Sequence, residues 1–397
     1  MTVPLPVVTP VQHPATGASS KCIGLGAVIT NVSLQALFDP AVHTAHEARA
    51  HSVFKAIEKA LYEYKVVVVK NQLDLQPDEQ FSFVNAFDPE APAEHGHNDA
   101  TVSHKGQKSL LYGIGNSIGS CPEVKLVGGG KQSERLGGKV LKQADHVVYH
   151  KHPLTSEERE QGFTRWHRWH MDASLFKTSL PLVTSLLCLA TPSIDPMSKT
   201  RRPPLTVRWD DGSGLEMKVA AGSTGFVEGS KMLEGLDEET RKWAEGTMVE
   251  YAPWPYQWNG PTRGNSNGLG TVDEPNNTMS LEDLPPYKPE EIKNYPMVWT
   301  CPKTGRKGVQ VHPVAVLALH PSDGTPSITD LSAVRSKLQS IQRHALIPDN
   351  IWAPAYEVGD LVLFNNRAVY HSATDYPESW GTRTMLQAHV AASFDPQ

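Results

Sequence analysis

The stretch WHRWHMDASLF, residues 166–176, sets two histidines, an arginine and a carboxylate among aromatic side chains. His170 and Asp172 are two apart. In an extended strand alternate side chains share a face, so one imidazole nitrogen and one carboxylate oxygen can converge on a single ion. A third ligand must come from elsewhere in the chain. EVGDLVLFNNRAVYHSA, residues 357–373, reads as a turn, a strand and, at its far end, His371, placed as a ligand at a barrel mouth would be. Two histidines and one carboxylate leave open positions on a metal, the arrangement that non-haem Fe(II) oxygenases use for a bidentate cosubstrate and dioxygen. With 17 histidines in the chain, an isolated H-x-D also fits ordinary core and surface residues. Arg383, in GTRTMLQAHVAAS (residues 381–393), stands twelve residues beyond His371. A guanidinium fork matches the distal end of a dicarboxylate, and equally a structural salt bridge. The order H-x-D, then H, then R is far more specific than any one part.

The rest of the chain narrows the class. A length of 397 residues allows one or two domains, and one elaborated domain over residues 24–397 is the expected organisation. A composition of 39% hydrophobic and 20% charged residues suits a packed soluble protein, and a net charge of −6 offers no basic surface to a phosphate backbone. A small-molecule substrate is therefore the expected partner, with neither nucleic acid nor membrane; the pattern says nothing of oligomeric state. Cys22, Cys121, Cys188 and Cys301 are scattered without a CxxC pair, which predicts reduced thiols and a cytoplasmic location. The opening MTVPLPVVTPVQHPATGASS lacks the basic and apolar regions of a secretory signal, and residues 1–23 read as a loosely held, Pro-rich lead-in.

Val53, Phe54, Ile57 and Leu61 fall on one helical face within HEARAHSVFKAIEKALYEY, which runs into KVVVVK, a short buried strand. QPDEQFSFVNAF reads as a second helix. SLPLVTSLLCLATP, PLTVRWDD and LEMKVAAGSTGFV read as strands with tight turns, giving a β-rich centre. Residues 255–290 are crowded with Pro, Gly, Asn and Asp and read as a lid or irregular excursion over the site. Residues 332–346 return to helical spacing through Val334, Leu338 and Ile341. No internal repeat is evident.

On these residues the chain resembles the taurine/2,4-dichlorophenoxyacetate dioxygenase (TauD/TfdA) superfamily from about Gly24 to its C-terminus. AGSTGFVEGSKMLEGL is similar to the family's Gly-x-Thr segment, and PMVWTCPKTGRKGVQV to its P-x-T-G-R-K segment. TRWHRWHMDASLF, TVRWDDGSG, YAPWPYQW, QVHPVAVLALH and LVLFNNRAVYHSA look most like the fungal xanthine dioxygenases and their relatives in specialised metabolism. The resemblance implies a mainly β fold with flanking helices, a double-stranded β-helix of the jelly-roll, cupin-like kind. It further implies Fe(II) held by His170, Asp172 and His371, with O2 and with 2-oxoglutarate as cosubstrate. Arg383 would grip the distal carboxylate of 2-oxoglutarate and Thr224 its carboxylate near the metal.

The substrate residues are read from the same resemblance. Lys142, in GKVLKQADHVVYHKHPL, aligns with a lysine region of the xanthine dioxygenases. Gln387 and His389 share one strand face, where the purine-using enzymes have Gln-x-Asn. His389 departs from that pattern: its donor and acceptor lie in a different geometry from those of Asn, and it can become cationic. Xanthine hydroxylation to uric acid is thereby put in doubt. The reading leans to a small aliphatic amino acid such as valine, with hydroxylation or ring closure to an aziridine. Asn116 and Phe364 are further pocket candidates, with turn and core packing as their alternatives. A non-catalytic binding protein would have no need to keep His170, Asp172 and Arg383 together, and a zinc hydrolase would have little use for Arg383 and Thr224.

Overall fold

Four consecutive β-branched residues, Val66–Val69, are buried on both faces, which is the pattern of a strand in the middle of a covered sheet. In the computed structural model, which describes residues 6–12, 22–38, 51–92, 116–133, 136–141, 145–173, 175–260, 262–274 and 278–397, this run lies parallel to Cys22–Thr30 and antiparallel to Leu361–Asn365. The major sheet continues from Leu361–Asn365 through Val183–Ala190, Arg383–His389 and Cys121–Lys131 to Asn116–Ile118. Val7–Gln12 pairs antiparallel with Cys22–Thr30 at the opposite edge, so part of the segment expected to be loosely held is a sheet strand. Backbone pairing supplies what the Pro-rich composition did not advertise.

One face of this sheet is covered by two helices. Ser52–Tyr64 begins where the His51 side chain accepts the Val53 N–H and ends at Lys65, whose left-handed φ of 62° returns its N–H to Leu61. Pro77–Asn85 follows, closed at its start by Glu79 accepting the Gln76 N–H at 2.8 Å. Phe54 from the first helix and Phe83 from the second meet with ring centroids 5.6 Å apart, and Phe87 packs tilted against the first and edge-on to the second. The expected helix over 332–346 is Leu331–Gln342 followed by a 3-10 turn, Arg343–Ala345. No helix among the described residues is long and apolar enough to cross a membrane.

Against the other face of the major sheet lies a small one, ordered Ile351–Trp352, Thr224–Glu228, Val369–Ala373. Phe226 of the small sheet and Phe364 of the large one stack 5.2 Å apart in the layer between them. The chain is thus mostly sheet, with helices on the outside. The PKTGRK segment is a hairpin joining Val298–Thr300 to Lys307–Val309, and its Arg306 lies 3.3 Å from the buried Glu228 carboxylate.

Phe83 is fully buried at the junction of helix and sheet, so Phe83→Ala opens a cavity there. The expected loss is about 3–5 kcal/mol in urea-induced unfolding; a loss under about 1 kcal/mol would show that the two helices are not held by this aromatic contact.

Candidate active site

His371 does not end the apolar run, as the sequence suggested. It sits inside a separate strand, Val369–Ala373, after a turn at residues 366–368. Nor is the H-x-D segment a regular strand. His170 makes one isolated antiparallel bridge to His371, each N–H donating to the other's carbonyl at 3.1 and 2.9 Å. Trp166 bridges Thr374 in the same pair of segments, so four steps on one side face three on the other. The extra residue is a bulge, at which the Arg168 N–H donates to the Ser372 hydroxyl at 3.0 Å instead of to backbone.

The bulge brings the His170 and His371 rings to a centroid separation of 4.2 Å. The Nδ1–H of His170 donates to the Arg168 carbonyl at 2.7 Å, which leaves Nε2 as the free lone pair. Asp172 Oδ1 lies 3.9 Å from that Nε2 and 3.6 Å from His371 Nε2. One atom from each of the three residues falls within 4.8 Å of the others. Two imidazole nitrogens and one carboxylate oxygen at this spacing form a donor set that fits Fe(II).

Asn366 was missed in the sequence. Its Oδ1 accepts the Asp172 N–H at 2.8 Å while its Nδ2 donates to the Asp172 carbonyl at 2.7 Å, so one buried amide clamps the ligand backbone as a strand would. Only the NN doublet at 365–366, set between a strand and a histidine, hinted at it. Tyr256 and His312 were missed as well. The Tyr256 hydroxyl donates to the Ala173 carbonyl, and burial together with the Asp172 charge pushes its phenol well up. His312 stacks between Tyr256 and His170, at 5.9 and 6.1 Å. Residues 255–290 therefore begin packed beside the ligands. Phe364 is core packing behind the site, its ring 4.7 Å from His371.

Arg383 opens the strand Arg383–His389. Its Nε donates to the Gly222 carbonyl at 2.9 Å and its terminal nitrogen to the Thr224 hydroxyl at 3.3 Å. Gly222 has φ +71°, and a side chain there would press on Pro192 and on the Arg383 stem. Both partners of Arg383 are neutral, and among the described residues it has no acidic partner. A guanidinium so placed is suited to a ligand carboxylate.

Gln387 is on the same strand face and donates to Asp172 Oδ2 at 3.3 Å. His389 is fully buried on that face. Asn116 begins the edge strand Asn116–Ile118, and its side chain lies outside what the structure describes; Lys142 lies outside the described residues.

A second acidic and imidazole cluster, Asp145, His146 and Asp375, has the spacing of a metal site but not its chemistry. His146 Nδ1 bonds Asp375 at 2.9 Å and His146 Nε2 accepts the Leu154 N–H at 3.2 Å, so no ring lone pair is left for an ion. Thr164 also donates to Asp375, and the network pins the segment before H-x-D to the one after His371. Nearby, burial pushes His150 down to about 3 and His167 down to about 4, so both are neutral in the fold.

Two imidazoles and a carboxylate at metal-ligand spacing, with a guanidinium that has only neutral partners among the described residues, are the side chains expected of a non-haem Fe(II), 2-oxoglutarate-dependent oxygenase. The chain belongs to the taurine catabolism dioxygenase TauD, TfdA family, whose model matches residues 41–389. It is an α-ketoglutarate-dependent dioxygenase, and the cofactors of the family are Fe(II), 2-oxoglutarate and O2. It is 38% identical over 390 residues to an α-ketoglutarate-dependent xanthine dioxygenase of Emericella nidulans, covering 98% of each chain. A xanthine dioxygenase of Neurospora crassa is 34% identical over 397 residues, covering 99% of this chain and 88% of that one. A crystal structure of a taurine dioxygenase from Burkholderia xenovorans shares the fold, with a TM-score of 0.53 at 16% identity over 99% of this chain and 91% of that one.

The neutral histidines set an acid sensitivity. Their folded pKa values lie below the ordinary 6.5, so below that pH the unfolded chain binds protons that the native one refuses. Stability is full above about 6.5 and falls with pH, each histidine removing about 2 kcal/mol by pH 5. Urea midpoints at pH 7 and 5 measure this; equal midpoints would contradict the buried, neutral state of His150 and His167.

Proposed function

We propose that the chain oxidises a C–H bond of a small aliphatic amino acid, with valine the first substrate to try. The reading is carried by the convergence of His170, Asp172 and His371 beside an arginine with only neutral partners. In it, residues 24–397 act as one domain, the two facing sheets form a double-stranded β-helix, residues 255–290 serve as its lid, and the protein works in the cytoplasm.

Fe(II), when bound, supplies the electrons that couple oxidative decarboxylation of 2-oxoglutarate, to succinate and carbon dioxide, to oxidation of the substrate. The protein's part is to hold and to orient. His170, Asp172 and His371 would hold the metal through two imidazole nitrogens and one carboxylate oxygen. Asn366 fixes the Asp172 backbone, and Gln387 occupies Oδ2 so that Oδ1 is the oxygen presented to the ion. Arg383 grips the distal carboxylate of 2-oxoglutarate; the Thr224 hydroxyl, expected at the carboxylate near the metal, accepts instead from the Arg383 guanidinium at 3.3 Å and so stands beside the distal one. Phe226 and Phe364 close the space behind His371 against water. With an amino acid held at the site, hydrogen loss from the side chain near the amine leads to hydroxylation or to ring closure, aziridine formation being the case for valine.

Xanthine hydroxylation to uric acid is the second reading, and it is favoured by the names of the relatives. His389, where that subfamily has Asn, weighs against it: a buried site built to bond a particular edge rejects analogues strongly.

The test is incubation with Fe(II), 2-oxoglutarate and a panel of amino acids and purines, with succinate measured. Valine should drive succinate formation and its product should show loss of two hydrogens or gain of one oxygen. Efficient uric acid formation from xanthine would install the second reading. Asp172→Ala should abolish both turnover and Mn(II) binding. Arg383→Leu should weaken 2-oxoglutarate by about 2–5 kcal/mol, with Arg383→Lys recovering part; unchanged 2-oxoglutarate affinity in the leucine variant would remove Arg383 from the cosubstrate site.

A further inference from the structure

Lys125, in the middle of Cys121–Lys131, is paired in antiparallel register with Gln387, and Gln387 is paired on its other side with Leu186. Directly opposed residues on antiparallel strands share a face. Lys125 therefore stands on the face that carries Gln387, Met385 and Arg383, the face that packs toward Phe226 and Phe364. Gln387 reaches Asp172 Oδ2, so Lys125 is one strand, about 5 Å, further along the wall from a residue that touches the metal carboxylate.

Among the described residues this lysine closes no ion pair. Its ammonium donates to the Ser117 hydroxyl at 2.8 Å and the Pro122 carbonyl at 3.0 Å, both neutral. Burial lowers its pKa, and the Glu123 charge opposes that shift. Glu123 is the acid nearest in charge to it, two residues along the same strand, and the two do not close into an ion pair. Glu123 is instead the acceptor for the Cys121 thiol at 3.5 Å. A half-buried ammonium on a four-carbon stem, held by two weak neutral acceptors, can swing onto an anion placed beside Gln387 with little loss.

We propose that Lys125 binds the carboxylate of the substrate, so that the wall formed by Lys125 and Gln387 selects small carboxylate-bearing molecules and orients their side chains toward the metal. This rests on the amino-acid reading above and assigns the anion-binding role to a residue that the sequence pattern did not single out. The residue is half-exposed, so its replacement does not open the core.

The test is calorimetry on protein loaded with Mn(II) and 2-oxoglutarate, in wild type and in Lys125→Met, with three probes: valine, valine methyl ester and xanthine. Wild type should bind valine more tightly than the ester. Lys125→Met should weaken valine by roughly 10- to 100-fold, the range for a hydrogen bond to a charged group, with little change for the ester and for 2-oxoglutarate, and Lys125→Arg should restore part of the loss. Valine bound equally by wild type and Lys125→Met would overturn the assignment alone and leave Lys125 as a strut for the turn at Pro122. Xanthine bound in preference, with valine not bound by wild type, would overturn the amino-acid reading and this proposal with it.

Discussion

Two reciprocal backbone hydrogen bonds between His170 and His371 hold together segments far apart in sequence, and the site exists only because they form. Each such bond is worth about 1 kcal/mol net, too little to hold the pair alone. The pairing is sustained from both ends. Asn366 clamps the Asp172 backbone on one side, and Asp375 gathers Thr164 and His146 on the other. Between these anchors the single-residue bulge at 167–169 can sit without slipping the register, and it is the bulge that tips the two imidazoles toward each other.

That geometry has an electrostatic counterpart. Asp172 is buried, with Gln387 donating to its Oδ2 and its Oδ1 facing the Nε2 atoms of His170 and His371. Arg383 and Lys125, on the same wall, hydrogen-bond neutral oxygens, and among the described residues neither closes an ion pair. On the proposed reading, one buried carboxylate serves a metal and the two cations serve the carboxylates of 2-oxoglutarate and of the substrate. The Asp145, His146 and Asp375 cluster shows the contrast, since there every imidazole nitrogen already has its partner.

Much of this was legible in the sequence because it rests on local rules. The amphipathic helix over 52–64, the buried valine strand and the helix after Gln76 follow from side-chain period and capping, and they lie where those rules put them. The candidate metal and cosubstrate residues could be named for a different reason: H-x-D, H and R in that order form a chemical pattern that does not depend on knowing the strands, and the structure brings His170, Asp172 and His371 together. Long-range pairing is what stayed hidden. His371 looked like the end of the strand Leu361–Asn365 because the turn at 366–368 carries no Gly or Pro, and its Asn366 takes part in the site itself. Val7–Gln12 looked loose because its pairing with Cys22–Thr30 is invisible in its composition. Lys125 gave no sequence signal, since only the register of Cys121–Lys131 against Arg383–His389 sets it opposite Gln387.

The central claim is that one metal ion is held by His170, Asp172 and His371, and anomalous diffraction from a crystal loaded with Mn(II) and 2-oxoglutarate tests it most directly. A single strong peak is expected between the two Nε2 atoms and Asp172 Oδ1, with density for the distal carboxylate of 2-oxoglutarate against Arg383. A peak at Asp145, His146 and Asp375 in its place, or a loaded protein with no peak at the H-x-D segment, would contradict it.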